Sequence, residues 1–389
     1  MFGNDLLKAN KALVAGDCKN ALKHYARAAK AAPWDPHIPF GMGNAWFTLG
    51  DFDQALTHLH NALKLDPAYA NAYNLIGNIH AARGDTELSA DFYRKALHHD
   101  PGTIAYYGNL ARVLFQLENY EEVVDVLGAI VPKNVINDEF YFMMGVAHLR
   151  MDNAVEARAH FRKALGIDSG VASYHVHLAI ACRFLERFEE ALTHAGEAAR
   201  LAPDSADGFR ELGAIYHELE DYPNAIDCYE KAIAREPDNE YLYKYLGDVF
   251  TWIDEYDQAV LNYRKAVEID PEWTDCYNLI GDMCDAKGEL EEAAVWYARA
   301  IAVDPGYATA YNNLGGVALR REDFDQAVAM FERAATLDGD NDVYFFNLAL
   351  AHAGRSQLEP AMEAVQQAIA LNPDDPDYRA QLAEWRLFA

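Results

Sequence analysis

Apolar residues recur along the chain in short groups spaced i, i+3, i+4, i+7, the spacing that places them on one face of an α-helix. Between residues 274 and 307 the first group is Tyr277, Ile280, Gly281 and Cys284, and the second is Leu290, Ala293, Tyr297, Ala300 and Ile301. Polar residues fill the positions between them, so each group predicts an amphipathic helix with one buried stripe. Gly288 breaks the chain between the two helices. Asp304-Pro305 ends the second, because the residue before a proline is held out of the α region. Gly281 and Ala293 are small where the two helices must pass closely. One helix pair cannot bury both of its apolar stripes, so further copies must stack on it.

Copies are present at a period of 34 residues. Prolines recur at Pro33, Pro67, Pro101, Pro203, Pro237, Pro271, Pro305 and Pro373, with Val135, Ser169 and Gly339 in the intervening slots. One alanine column includes Ala21, Ala55, Ala157, Ala259 and Ala361; a second includes Ala28, Ala62, Ala164, Ala266 and Ala368. A mid-helix small slot holds Gly43, Gly77, Gly145, Gly213, Gly247, Gly281 and Gly315. Aromatic residues Tyr93, Phe161, Tyr229, Tyr263, Tyr297 and Phe331 follow the first alanine column by four, where they fill the space between adjacent pairs. Leucine in place of Gly247 or Ala259 would wedge a pair apart. Second helices open with Asp51-x-x-Gln54, Asn119-x-x-Glu122, Asn153-x-x-Glu156 and Asp323-x-x-Gln326, which are capping-box variants. No insertion disturbs the phase, so eleven units fill residues 2–375.

This period, with its small residues, aromatic and proline at fixed offsets, resembles the tetratricopeptide repeat (TPR) family. The resemblance covers nearly the whole chain. It implies an all-α fold, a right-handed superhelical α-solenoid of stacked antiparallel helix pairs. The expected divisions are 2–137 (repeats 1–4), 138–375 (repeats 5–11) and a C-terminal capping helix at 376–389. In the fourth unit Val123, Leu127 and Ile130 replace the usual small and aromatic residues, Gly128 lies within the helix and Pro132 arrives early. A break in regularity is expected near 128–138. The last helix carries Leu382 in phase, but Trp385, Leu387 and Phe388 make it less polar than a solenoid cap ordinarily is.

Composition narrows the function classes. The formal net charge is −28, which disfavours nonspecific nucleic-acid binding and attraction to anionic membranes. No apolar run is long enough to span a bilayer. The opening MFGNDLLKANKALVAG lacks an apolar core behind a basic head and reads as the first helix of the array. Five cysteines form no CxxC pair, so a reducing, cytoplasmic setting is expected, with Cys182 and Cys284 as small buried side chains. P-loop, GxSxG and HExxH motifs are absent. His58/His60 and His175/His177 are i, i+2 pairs pointing to different sides of a helix. No enzyme activity, metal or cofactor is expected.

In the family resembled, first helices line a concave groove that holds partner segments. Mapped there, the fourth to sixth pairs offer Arg112, Phe115, Phe142, Val146, Arg150, Val176, Ile180, Arg183 and Phe184, with Arg210 following. Arginines among apolar residues fit a segment with apolar anchors and acidic groups. Later the chemistry inverts: residues 206–341 hold 30 acidic and 11 basic side chains. Asp275, Asp282, Asp285 and Asp248 lie there beside Tyr241, Lys244, Tyr245 and Trp252. Stacked carboxylates of this kind call for a basic partner segment, with cation–π help from the rings. Asn278 and Asn312 could bond a ligand's main chain. Some family members hold a chaperone's C-terminal carboxylate with a Lys-Asn-Asn-Lys-Arg clamp. Here Asn78 and Asn109 are followed by Glu139 and Met143, which breaks that pattern and argues against it.

The leading expectation is a non-catalytic protein–protein scaffold. A self-assembling adaptor and the targeting arm of a larger enzyme complex are the alternatives. Circular dichroism should report roughly 70% helix, the share given by two helices of about twelve residues per 34-residue unit. A much lower value would reject the fold.

Overall fold

The computed structural model describes residues 2–130 and 137–387. They form 23 α-helices, numbered α1 to α23 in chain order, and no strand occurs among the described residues. The chain divides into two compact units, Met1–His194 and Ala195–Ala389. The first begins with α1 (Phe2–Val14) and α2 (Cys18–Ala31) and runs through α11 (Ala172–Phe184) into α12 (Phe188–Leu201). The second runs from the rest of α12 to α23 (Pro376–Trp385). From α1 to α11, and again from α13 (Asp207–Glu218) to α23, each helix packs on the next in sequence. The expected break at 128–138 has its central part, residues 131–136 with Pro132, outside the described residues.

Every helix pair turns in the same way. Gly16, Gly50, Gly84 and Gly288 have φ between +78° and +82°, and Glu118, Asp152, Glu186, Glu220, Asp254, Glu322 and Ser356 have φ between +56° and +59°. These positions are one period apart, so all eleven junctions share a left-handed residue, the irregular fourth unit included. Only four of them use glycine, although any other residue costs roughly 1–2 kcal/mol there. The geometry closes a backbone bond of 2.9 Å from the Asp85 amide to the His80 carbonyl, and of 3.0 Å from Asp51 to Trp46, satisfying carbonyls that a helix end would otherwise orphan. The next helix is then capped: Asp51 accepts from the Gln54 amide, Asn119 from Glu122, Asn153 from Glu156 and Asp323 from Gln326.

Packing within a pair rests on a ring laid over a glycine. A Cβ built on Gly77 would stand 2.6 Å from the Tyr93 ring, on Gly145 2.5 Å from Phe161, on Gly247 2.6 Å from Tyr263 and on Gly281 2.5 Å from Tyr297. The aromatic column is thus seated on the first helix of its own pair. Both alanine columns are buried throughout the array, and so are all five cysteines.

The terminal helix corrects one expectation. Trp385 is buried, as are Tyr378 and Leu382, because all three pack on α22 (Leu358–Leu371). Arg379, Glu384 and Arg386 are exposed with Ala380 and Ala383, so Leu387 is the one large apolar side chain on the described outer face; Phe388 lies outside the described residues.

Gly247→Ala should lower stability by about 1–3 kcal/mol, since the Tyr263 ring has to be displaced. Gly316, where an added Cβ meets nothing within 4 Å, is the control: Gly316→Ala should be neutral or stabilise by up to about 1 kcal/mol. Urea denaturation of both variants checks the contrast.

Candidate interaction surfaces

In the first unit α7 (Ile104–Gln116) and α9 (Asp138–Arg150) frame a cleft of about 430 Å³ lined by Arg112, Phe115, Gln116, Glu139, Phe142, Met143 and Val146. Four residues singled out in the sequence, Arg112, Phe115, Phe142 and Val146, therefore meet around one space. Phe142 is held in place: its ring stacks on Tyr174 at 4.8 Å and meets the His177 edge-on at 4.9 Å. Tyr174 in turn donates to Asp138 at 2.9 Å. At the rim Arg112 bonds Asn109 at 3.2 Å and stands 3.5 Å from Glu139, with both charged side chains half exposed. Such a pair is worth little in water, so an incoming carboxylate can compete for the guanidinium.

Further along, Arg150 is exposed and Ile180 half-buried. Phe184 is 64% exposed, with the Arg183 guanidinium 5.1 Å from its ring centre. Val176 does not belong to this surface: it is buried in the packing of α11.

The second unit overturns the premise that its carboxylates await a foreign cation. On α15 (Glu240–Trp252), Lys244 reaches Asp248 at 2.7 Å and the Tyr263 hydroxyl donates to the same carboxylate at 2.9 Å. Arg320 pairs with Asp285, Arg210 with Asp207 at 3.0 Å, and the Tyr307 hydroxyl donates to Asp275. The chain supplies its own counter-charges because those cations sit one turn, or one repeat, from each carboxylate.

Asp282, on α17 (Thr274–Ala286), is handled differently. It accepts hydrogen bonds from the Tyr297 hydroxyl at 2.8 Å, Asn278 at 3.0 Å and Asn313 at 3.0 Å, and no cation pairs with it among the described residues. Burial, opposed by the donors and reinforced by nearby Asp285, pushes its carboxyl up to about 6. Asn278 is buried within this network, donating to Asp282 and accepting from Asn313 at 3.1 Å, so it does not face a ligand's main chain. Asn312 likewise accepts from Asn347 at 2.8 Å, and Asn109 donates to Asn74 at 2.9 Å. What stays open to solvent is aromatic: Tyr241 is 52% and Trp252 67% exposed, while Tyr245 leans on Tyr229.

Two features went unforeseen. Tyrosine on the second helix bonds the residue just after the small slot of the first, as in Tyr25–Asn10, Tyr93–Asn78, Tyr263–Asp248 and Tyr297–Asp282. Where that residue is Val146 or Gly316 the ring is Phe161 or Phe331, although Tyr229 faces Ala214 in the same arrangement. Clefts between successive second helices are the other. One, of about 690 Å³, lies beside Trp296, which Arg264 and Arg299 flank at 5.0 and 4.3 Å. Nearby, Cys284, Glu289 and Glu292 bring ligand atoms within 4.8 Å of one another. Lys287 and Arg264 already neutralise the two carboxylates, and burial pushes the Cys284 thiol up to about 11.

Comparison with known proteins agrees with this architecture. Family models described as tetratricopeptide repeat or TPR repeat match residues 40–103, 138–170, 206–239, 281–321 and 318–384. The chain belongs to the tetratricopeptide repeat family. Among curated proteins it is similar to the Hsp70-Hsp90 organising protein of Plasmodium falciparum, 29% identical over 143 residues, 34% of this chain and 23% of that one. The chain therefore matches less than a quarter of that relative's length. Among solved structures, the C-terminal part of a TPR repeat-containing protein from Cytophaga hutchinsonii shares the fold. It is 14% identical with a TM-score of 0.52 and covers 61% of this chain and 98% of its own. Yeast Tom70 aligns over 100% of this chain and 94% of its own at 14% identity, with a TM-score of 0.46. Among the described residues no helix is long and apolar enough to cross a membrane.

The raised Asp282 carboxyl fixes the sign of a pH effect. Its folded value lies above the unfolded one, so its contribution is complete below about pH 4 and is lost as pH rises through about 6. Asp282→Asn should melt at the same temperature as the wild type near pH 4 and above it beyond pH 6. Parallel thermal melts across that range check this, and a gap that widens toward low pH would reverse the assignment.

Proposed function

We propose that the chain is a non-catalytic interaction scaffold that holds segments of other proteins against the faces of its first helices. The observation that carries this reading is the cleft at Arg112, Phe115, Phe142 and Val146, an apolar floor open to solvent with a weakly engaged arginine at its rim. Burying one apolar side chain there is worth about 1.5–3 kcal/mol, and a neighbouring carboxylate on Arg112 would fix its orientation. The partner class is a segment that pairs an apolar anchor with an acidic group. Arg150, Arg183 and Phe184 extend the same chemistry along the first unit.

Membership of the tetratricopeptide repeat family supports the scaffold reading, and so does the likeness to a relative named as an organising protein for Hsp70 and Hsp90. A chaperone-tail clamp is not proposed, because Asn78 and Asn109 are already bonded to Tyr93 and Asn74. In the second unit the role left for partner contact belongs to the exposed rings of Tyr241 and Trp252, which suit a cationic side chain.

Affinity capture with the wild type and with Arg112→Glu/Phe142→Ala tests the cleft. Proteins retained by the wild type should be lost, or bound at least tenfold more weakly, by the double variant. Equal retention by both would remove the cleft from the site.

A further inference from the structure

The first repeat differs in charge from the rest of the chain. Residues 1–34 hold six cations, Lys8, Lys11, Lys19, Lys23, Arg27 and Lys30, and two carboxylates, Asp5 and Asp17, in a protein of net charge −28. Both carboxylates are engaged elsewhere: Asp5 lies 3.2 Å from His24, and Asp17 caps α2 by accepting from the Asn20 amide. Helix α2 contains no acidic residue, and its Lys19, Lys23, Arg27 and Lys30 are all exposed. Steps of four, four and three residues align them in one stripe.

Beside this stripe lies an apolar cleft of about 540 Å³ between α2, α3 (His37–Thr48) and α4 (Phe52–Leu65). Ala26, Ala29, Ile38 and Met42 form its floor; His58 and Lys64 are on its far wall, and no carboxylate lines it. The cleft beside Trp296 is its counterpart seven repeats on, and the comparison shows what the first one lacks. Val267 stands there in the slot of Ala29, Arg264 in that of Ala26 and Trp296 in that of His58, with Glu268, Glu291 and Glu292 at the rim. In six other repeats the slot of Ala29 holds Leu63, Leu97, Leu165, Ile233, Ile301 and Ile369, while Ala199 and Ala335 keep it small in two more. What sets the first repeat apart is the combination of a slot without a branched aliphatic side chain, Lys64 on the cleft wall and the cationic stripe of α2.

The geometry points to a docking site for an acidic amphipathic segment of another protein. Such a segment seats one leucine or isoleucine over Ala29, where most other repeats supply their own, and runs its carboxylates along Lys23, Arg27 and Lys30. A nucleic-acid backbone would use the cations and leave the apolar floor idle. A membrane surface meets protruding apolar side chains rather than a recess. Charge complementarity and the missing side chain together select the acidic segment.

The test uses the full chain and fluorescein-labelled helical peptides of glutamate and alanine, one with a central leucine and one with serine in its place. The wild type should bind the leucine peptide about tenfold or more tighter than its twin, with binding of both weakening as salt rises. Ala29→Leu installs the residue that other repeats carry; it should melt no lower than the wild type, lose the leucine preference and keep the salt-sensitive binding. Lys23→Glu/Arg27→Glu/Lys30→Glu should lose both peptides. Absence of binding, equal binding of the two peptides by the wild type, or a preference surviving in Ala29→Leu would overturn the proposal. So would self-association, or binding of phosphatidylserine vesicles or single-stranded RNA, that disappears in Ala29→Leu, since each would give the cleft a different occupant.

Discussion

The contact on which the array depends is an aromatic ring pressed onto a backbone without a side chain. At Gly77, Gly145, Gly213, Gly247, Gly281 and Gly315 the ring of the second helix occupies the place where a Cβ would be. That approach sets the distance between the two helices of a pair, and the buried alanine columns allow the next pair to come equally close. Because the ring lies flat along the first helix, its far edge reaches the residue after the glycine. The hydroxyls of Tyr25, Tyr93, Tyr263 and Tyr297 then find a polar partner there. One steric requirement thus fixes both the packing and the start of a polar network.

That network governs how the molecule carries its charge. A protein with 61 acidic and 33 basic side chains would repel itself if its inner carboxylates stood alone. Most do not: Lys244, Arg210 and Arg320 answer Asp248, Asp207 and Asp285, each from a neighbouring turn or repeat. Asp282 is answered by three neutral donors in place of a cation, and its affinity for a proton rises accordingly. The acidic half is therefore less hungry for cations than its composition implies. The surfaces left with unfinished chemistry lie in the first unit, at Arg112 and Phe142 on the first-helix side and at Ala29 and α2 on the second-helix side. They share a design, an apolar floor with a cation at its edge, and differ in which face of the helix pair presents it.

Much of the fold was legible because a repeat states its constraints many times over. Period, small slots, caps and the closing helix all follow from periodicity and from the steric limits on glycine, alanine and proline. The left-handed turn residue was hidden because four glycines, an assortment of Glu and Asp, and Ser356 share one backbone conformation and no side-chain chemistry. Trp385 was misjudged because a terminal helix shows no outer neighbour in the sequence, and only the packing decides which of its apolar residues turn inward.

For the candidate site the division is sharper. By itself the sequence determined the eleven-fold helix pair, the family, and the meeting of Arg112, Phe115, Phe142 and Val146, since residues one repeat apart on the same helix face must be neighbours. Tertiary structure decided which charges are spent within the chain, that Val176 and Asn278 face inward, and where a missing side chain leaves a cleft. Periodicity fixes which face a residue occupies. Whether that face finds its partner inside the molecule depends on distances of a few ångströms between side chains far apart in sequence, and these exist only once the helices have packed.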